Sequence, residues 1–178
     1  RVFGFAQSVE QAASPLTAFL VAPLPQLVVI PSMTDGAAAR AIGAWFGTGA
    51  AATGNARVFR TTDEGRSWQG ADTPIVTDAS SGIATVAVRD DRRGVAMGGN
   101  IAKPDTVLLN VAVTEDGDVT WYPGTSPPFT GAVYGAAYAT GGGPPILVAV
   151  GPKCAAVSWD DARTWTKVDT LSYWSVGM

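Results

Sequence analysis

The stretch Thr61-Thr62-Asp63-Glu64-Gly65-Arg66-Ser67-Trp68 decides how this chain is read, because its pattern returns twice. The second copy is Thr114-Glu115-Asp116-Gly117-Asp118-Val119-Thr120-Trp121, and the third is Ser158-Trp159-Asp160-Asp161-Ala162-Arg163-Thr164-Trp165. Aligned, they read Ser/Thr-x-Asp-x-x-x-Ser/Thr-Trp, with Gly65, Asp118 and Ala162 at the fifth position. Each copy has the chemistry of a tight turn. A turn leaves the sheet ladder, so its backbone groups need other partners. An Asp at the third position can accept hydrogen bonds from the N–H groups that follow it. Gly at the fifth position permits positive φ, Asp tolerates it, and Ala does so at a cost. The third turn is therefore expected to be the most strained or the most altered.

The closing tryptophans are spaced 53 and 44 residues apart (Trp68, Trp121, Trp165). That is the period of a four-stranded propeller blade. A Trp at the start of each fourth strand would pack between neighbouring blades and bury roughly 150–250 Å². At about 25 cal/mol/Å² this stabilises by at most about 4–6 kcal/mol per Trp. Turn and tryptophan together account for the motif without any ligand.

Between the repeats, short apolar runs alternate with turn residues, which argues for an all-β chain. Blades are expected at about 44–72, 83–123 and 132–168. The first has strands at Ala44–Gly49 and Arg57–Thr62, a short fourth strand starting at Ser67–Gly70, and a polar connection Ala71–Gly82. The second has Ile83–Arg89, Gly94–Gly98, Val107–Val113 and Thr120–Tyr122, with a loop at Gly99–Thr106. The third has Ala132–Ala139, Ile146–Gly151, Cys154–Ser158 and Thr164–Val168. Ser172–Gly177 reads as the innermost strand of another blade. The expected fold is a partial β-propeller of about three four-stranded antiparallel blades, an extra strand and an irregular N-terminal segment.

Residues 1–43 depart from this rhythm, because Pro15, Pro23, Pro25 and Pro31 interrupt every strand candidate. They read as a degenerate blade or an irregular segment, although a shifted reading frame would also change the composition in this way. The run Leu16–Ile30 is too short, and too broken by Pro23 and Pro25, to span a membrane as a helix. It lacks the basic start and small-residue cleavage site of a signal peptide. A chain starting at Arg1 is expected of a fragment or a processed piece.

Composition excludes several activities. The 178 residues contain no His, so triads, Cys–His pairs and His-ligated metals are ruled out. The net charge is −3 and no basic stripe gathers, against the phosphate contacts that nucleic-acid binding needs. Cys154 is the single cysteine, expected as a small apolar strand residue without a disulfide. Gly94–Gly99 and Gly141-Gly142-Gly143 lack the strand–helix setting of a dinucleotide loop. No cofactor or metal site is expected.

The three segments resemble Asp-box (BNR) repeats, which mark a superfamily of β-propellers that includes sialidases and photosystem II assembly-factor-like proteins. The wider frame Val86-Ala87-Val88-Arg89-Asp90 with Gly94-Val95-Ala96-Met97-Gly98-Gly99 is similar to the photosystem-assembly-like branch. The resemblance covers about 44–178. It implies a structural role for Thr61, Asp63, Gly65, Ser67, Trp68, Thr114, Asp116, Thr120, Trp121, Ser158, Asp160, Thr164 and Trp165, on the end away from the usual binding side. Six to eight blades are usual in such propellers, so a missing half or self-association would be needed for closure. An extracytoplasmic location is also implied.

The expected function is that of a non-enzymatic binding or assembly module for a protein or carbohydrate ligand. Asn55, Asn100, Lys103, Asp105, Tyr122 and Lys153 are the candidate face, on loops opposite the turns. The alternative is a sialidase-like glycoside hydrolase or carbohydrate-binding propeller fragment. Arg57, Arg60, Arg89 and Tyr134 are its nominal residues, but the Phe/Tyr-Arg-Ile-Pro motif is absent and Val58-Phe59-Arg60-Thr61 stands in its place. Asp63, Asp116 and Asp160 fall in separate blades, whereas glycosidase carboxylates must flank one bond within about 5–10 Å.

Overall fold

The computed structural model describes residues 43–49, 54–117, 119–139 and 143–177. They form three antiparallel sheets and, among these residues, no helix. Strands β1 (Ala44–Gly47), β2 (Gly54–Thr61) and β3 (Gln69–Thr77) make the first sheet, in that order. The second runs through β4 (Ser81–Val88), β5 (Gly94–Asn100), β6 (Val111–Thr114) and β7 (Tyr122–Pro123). The third runs through β8 (Gly135–Tyr138), β9 (Leu147–Gly151), β10 (Cys154–Ser158) and β11 (Thr166–Asp169). β4 packs beside both β1 and β8, so the inner edges of the sheets gather side by side. None of the sheets closes on itself. This is a run of propeller-like blades, as the repeat implied.

The second sheet is apolar on both faces, and each face meets a different neighbour. Cross-strand pairing sets the row Val86–Ala96–Ala112 on one face. It packs with Trp45, Val58 and Ile75 of the first sheet. The row Ala87–Val95–Val113 lies on the other face and packs with Leu147, Ala149 and Trp165 of the third sheet. A period of two, read on both faces, is what a blade held between blades requires.

The tryptophans seal these junctions unequally. Trp121 meets Trp45 edge-on at 6.2 Å between ring centres and is 8% exposed. Arg60 lies over the Trp45 ring at 4.9 Å and donates from Nη1 to the Gly117 carbonyl at 2.5 Å, tying the first sheet to the second turn. Trp165 donates from Nε1 to the Thr125 carbonyl at 2.8 Å, across the next junction. Trp68 has no described sheet before it and is 39% exposed, against Phe46 at 4.9 Å.

Several boundaries differ from expectation. The polar stretch from Ala71 is not a connection: β3 runs on to Thr77, with Thr73 and Thr77 donating their hydroxyls to the Ala56 and Gly54 carbonyls. Threonine is polar by composition but β-branched and satisfied here, so a polar run makes a strand. The first sheet contributes three described strands rather than four. Val107–Asn110 precedes β6 instead of belonging to it, because the β5–β6 ladder ends at Met97 opposite Val111. Ser172–Gly177 forms no ladder: Tyr173 N–H bonds the Gly151 carbonyl and Trp174 stacks on Tyr134. Residues 1–42, with the expected degenerate blade, lie outside the described residues.

One glycine is fixed by close approach. At the bulge in the β4–β5 pairing, a Cβ on Gly98 would stand 1.9 Å from the Gly82 carbonyl oxygen, so no side chain fits.

The unequal sealing has a measurable consequence. Trp121→Ala should destabilise by about 3–5 kcal/mol, as for a buried aromatic truncation, and Trp68→Ala by clearly less. Urea denaturation of the two variants compares them directly; equal losses would contradict the junction geometry.

Candidate functional site

The blades have two ends, and antiparallel order assigns each loop to one of them. β4 rises to a hairpin at 89–93, β5 descends, and β6 rises again to the turn at 115–121. The three recurrent turns therefore share one end with that hairpin. The opposite end carries the β3–β4 connection, the long β5–β6 loop at 101–110, the β7–β8 connection and the β9–β10 turn.

At the turn end the three copies share one hydrogen-bond plan. The Oδ1 atoms of Asp63, Asp116 and Asp160 accept the N–H groups of Ser67, Thr120 and Thr164 at 2.8, 3.0 and 2.8 Å. The hydroxyls of Ser67 and Thr164 donate to the other carboxylate oxygen at 2.5 Å, and that of Thr120 does the same. The hydroxyls of Thr61, Thr114 and Ser158 donate back to Oδ1 at 2.8–2.9 Å. Those of Thr61 and Ser158 also accept from Gly65 and Ala162 N–H at 2.9 and 3.0 Å.

The electrostatics follow from this plan. The seventh-position hydroxyl first, and the N–H of the same residue next, hold each carboxyl down to a pKa of about 2. Such groups stay ionised at neutral pH and are poor general acids. Their satisfied oxygens stabilise the turn.

The third turn carries the cost expected of it. Ala162 sits at φ 64, the left-handed region where Gly65 sits at φ 82. Its methyl is buried in the junction with Trp165, and this packing offsets the backbone strain.

A cavity of about 220 Å³ opens at this end between the second and third sheets, lined by Arg93, Glu115, Tyr138, Asp161 and Arg163 among others. Its charges are already matched. Arg163 pairs with Glu115 at 2.9 Å, Arg89 with Asp161 at 2.7 Å, and the Tyr138 hydroxyl donates to Asp161 at 3.0 Å. Burial, and then the Asp161 charge, push the Tyr138 pKa up. The cluster fastens two blades together, and no sequence signal linked its members, which lie far apart in the chain.

The nominal sialidase arginines do not converge. Arg57 pairs with Asp72 at 2.9 Å, Arg60 serves the first junction, and Arg89 serves the second. Tyr134 stacks on Trp174 at 5.1 Å near the opposite end. Among the described residues, no group of three or more His, Cys, Asp or Glu could hold a metal. Burial raises the Cys154 pKa and keeps the thiol protonated. No helix among these residues is long and apolar enough to cross a membrane.

At the opposite end, the Lys153 ammonium pairs with Asp105 and joins the β5–β6 loop to the β9–β10 turn, and Lys103 stands exposed on the same loop. Asn55 is exposed at the start of β2, on the same end but in the first sheet. Two of the six candidates fall elsewhere. Asn100 is buried, with Nδ2 donating to Asp78 at 3.3 Å and Oδ1 accepting from Ala102 N–H at 2.9 Å, so it supports the loop rather than facing solvent. Tyr122 pairs with Val113 next to the second turn and belongs to the turn end.

What composition concealed is the apolar character of the β5–β6 loop. Ile101, Val107, Leu108 and Leu109 all stand exposed there. The loop itself is well tied. Ile101 N–H bonds the Ser80 carbonyl at 3.0 Å, Thr106 N–H bonds that of Lys103 at 3.1 Å, and Gly131 N–H bonds that of Thr106 at 3.0 Å. Asn110 Nδ2 donates to the Gly131 carbonyl at 3.2 Å.

No protein-family model matches this sequence, and no curated protein matches it. The fold is similar to that of a solved structure described as YCF48 bound to D1 peptide. The TM-score is 0.51 with 20% sequence identity, over 81% of this chain and 42% of that one. At this identity the likeness establishes the propeller-like fold. The chain spans less than half the length of the protein it matches.

The turn chemistry sets a pH dependence. The carboxyl pKa values are depressed from 3.8 to about 2, so their contribution is complete above the ordinary value and lost as pH falls towards about 2. Asp116→Asn should be less stable than the parent chain at pH 7, and the gap should close between pH about 4 and about 2. Denaturant midpoints measured across that range check this; a gap independent of pH would refute it.

Proposed function

We propose that this chain is part of an Asp-box β-propeller that works by binding rather than by catalysis, and that its ligand is a segment of another protein. The observation that carries this reading is the β5–β6 loop. Four large apolar side chains, Ile101, Val107, Leu108 and Leu109, stand in solvent on a loop whose backbone is held at several points. Exposed apolar clusters of this kind mark interaction surfaces, and a loop already ordered loses little freedom on binding. Lys103 adds a positive charge beside them, while Lys153 and Asp105 brace the loop against the third sheet.

Two further observations support the reading. The turns are built alike in all three copies, as structural Asp boxes would be, which leaves variation to the opposite end. The similar solved structure is described with a bound peptide. The sequence resemblance to photosystem II assembly-factor-like proteins points in the same direction. The alternative, a sialidase-like or carbohydrate-binding fragment, finds less support because its arginines are engaged apart from one another, Arg57 with Asp72 within the first sheet and Arg60 and Arg89 between blades.

Probing a peptide array with the labelled chain tests the proposal. Binding to a defined set of peptides is expected, weakened at least about tenfold when Leu108 and Leu109 are both changed to Ser. Undiminished binding by that variant, or binding to no peptide, would overturn it. With a fluorogenic sialoside, turnover is expected to stay at the no-protein background; robust turnover would transfer the chain to the hydrolase reading.

A further inference from the structure

The line of β6 runs back past the point where its outer neighbour stops. Along this line, alternate residues turn their backbone groups to opposite sides. Asn110 and Thr114 face β5: the Asn110 carbonyl accepts the Gly98 N–H at 3.0 Å, and Thr114 pairs with Gly94. Val111 and Val113 face β7: the Val111 carbonyl accepts the Gly124 N–H at 2.9 Å, and Val113 pairs with Tyr122. After Gly124 the chain leaves for the third sheet, where Thr125 N–H bonds the Ala162 carbonyl at 3.2 Å and the Thr125 carbonyl accepts from Trp165.

Upstream of Val111, therefore, the side that β7 occupied is open. Thr106–Asn110 continues without a turn or a bend, so the same alternation directs Leu109, and two residues earlier Val107, to that side. Among the described residues, no hydrogen bond reaches the backbone of Val107, Leu108 or Leu109. All three are exposed, Val107 by 72%. Their exposure owes nothing to the ends of the chain, because this is the middle sheet, covered by the first sheet on one face and the third on the other. Free strand edges invite pairing with another chain, and the outer strands carry the usual protections. Pro74 interrupts β3, β7 is two residues long and ends at Pro123, and β11 presents the exposed Lys167. Val107-Leu108-Leu109 has neither a proline nor a charge.

We propose that an extended segment of another protein adds to the second sheet at this edge, in line with β7, and pairs backbone to backbone with Leu109 and Val107. The inference rests on the peptide-binding reading of this loop and supplies its mode of recognition. The partner segment is a strand rather than a helix, because a helix spends its N–H and C=O groups on itself, whereas an extended chain offers them at the spacing of the open edge. Main-chain bonds hold the segment whatever its sequence. Selection falls on the side chains that meet Val107, Leu108 and Leu109, and it favours apolar ones.

The tightest-binding peptide of the array, synthesised with a single N-methyl group moved along its backbone, is the probe. Titrated against the parent chain, it should lose affinity by about tenfold or more at alternate positions and little at those between. Amide exchange followed by NMR gives a second readout. The Val107 and Leu109 N–H groups should exchange quickly in the free chain and slowly with the peptide bound, while that of Leu108, on the other side, stays fast. Losses without a period of two, or equal protection of all three amides, would overturn the strand mode and leave peptide binding in place. Slow exchange of Val107 and Leu109 in the free chain would also overturn it, since the edge would then be occupied from within. An array on which no peptide binds would overturn both this inference and the reading beneath it.

Discussion

A sheet that is apolar on both faces must be covered on both sides, and this requirement organises the whole chain. Burying only one face would leave a row such as Ala87–Val95–Val113 in water, at about 25 cal/mol for each Å² of apolar surface. Stacking sheet against sheet removes that cost once per junction, and Trp121 and Trp165, each at the head of a fourth strand, help to fill the two junctions. The recurrent turn is what aims them. Asp63, Asp116 and Asp160 bind their turns so that the residue after Ser67, Thr120 or Thr164 leaves in a fixed direction, and in every copy that residue is Trp. Turn chemistry and core packing are thus a single device, which is why they recur together.

The same device commits the turn end of each blade to stability. Ion pairs and carboxylates at the turn end are committed: Arg89, Asp161 and Tyr138 bind one another across a junction, and Arg60 is spent on Trp45 and Gly117. A carboxylate with every oxygen satisfied and a pKa near 2 has little proton affinity left for catalysis. The repeated acidic residues therefore look like an active site only when read as a list, and not when read as geometry.

The sequence was most legible where interactions are local. The turns span eight residues, so their donors and acceptors could be paired from spacing alone, and even the awkward Ala162 was visible as a residue forced to positive φ. It was least legible where a residue's role depends on a partner strand. Thr73 and Thr77 read as loop because they are polar, yet their hydroxyls satisfy β2 carbonyls and they lie buried in β3. Val107, Leu108 and Leu109 read as strand because they are apolar, yet no ladder reaches them. Asn100 read as a surface group, yet Asp78 and the Ala102 amide hold it inside. In each case hydrophobicity was an adequate guide to burial only after pairing was known, and pairing is not a local property.

Equivalent loops differ at the end opposite the turns. In the third sheet, β9 and β10 are joined by two residues, Pro152 and Lys153, whereas in the second sheet the same connection runs from Ile101 to Asn110. A repeat that needed the connection only for folding would keep it short, since every ordered loop residue costs conformational entropy of roughly 1–2 kcal/mol. The longer loop is held by bonds from Ser80, Gly131, Asn110 and Lys153, so its order is maintained by the surrounding structure. It nevertheless leaves its largest apolar side chains in solvent. Nothing in the packing of the blades requires that arrangement, and a binding partner for the loop would supply the burial that the fold does not.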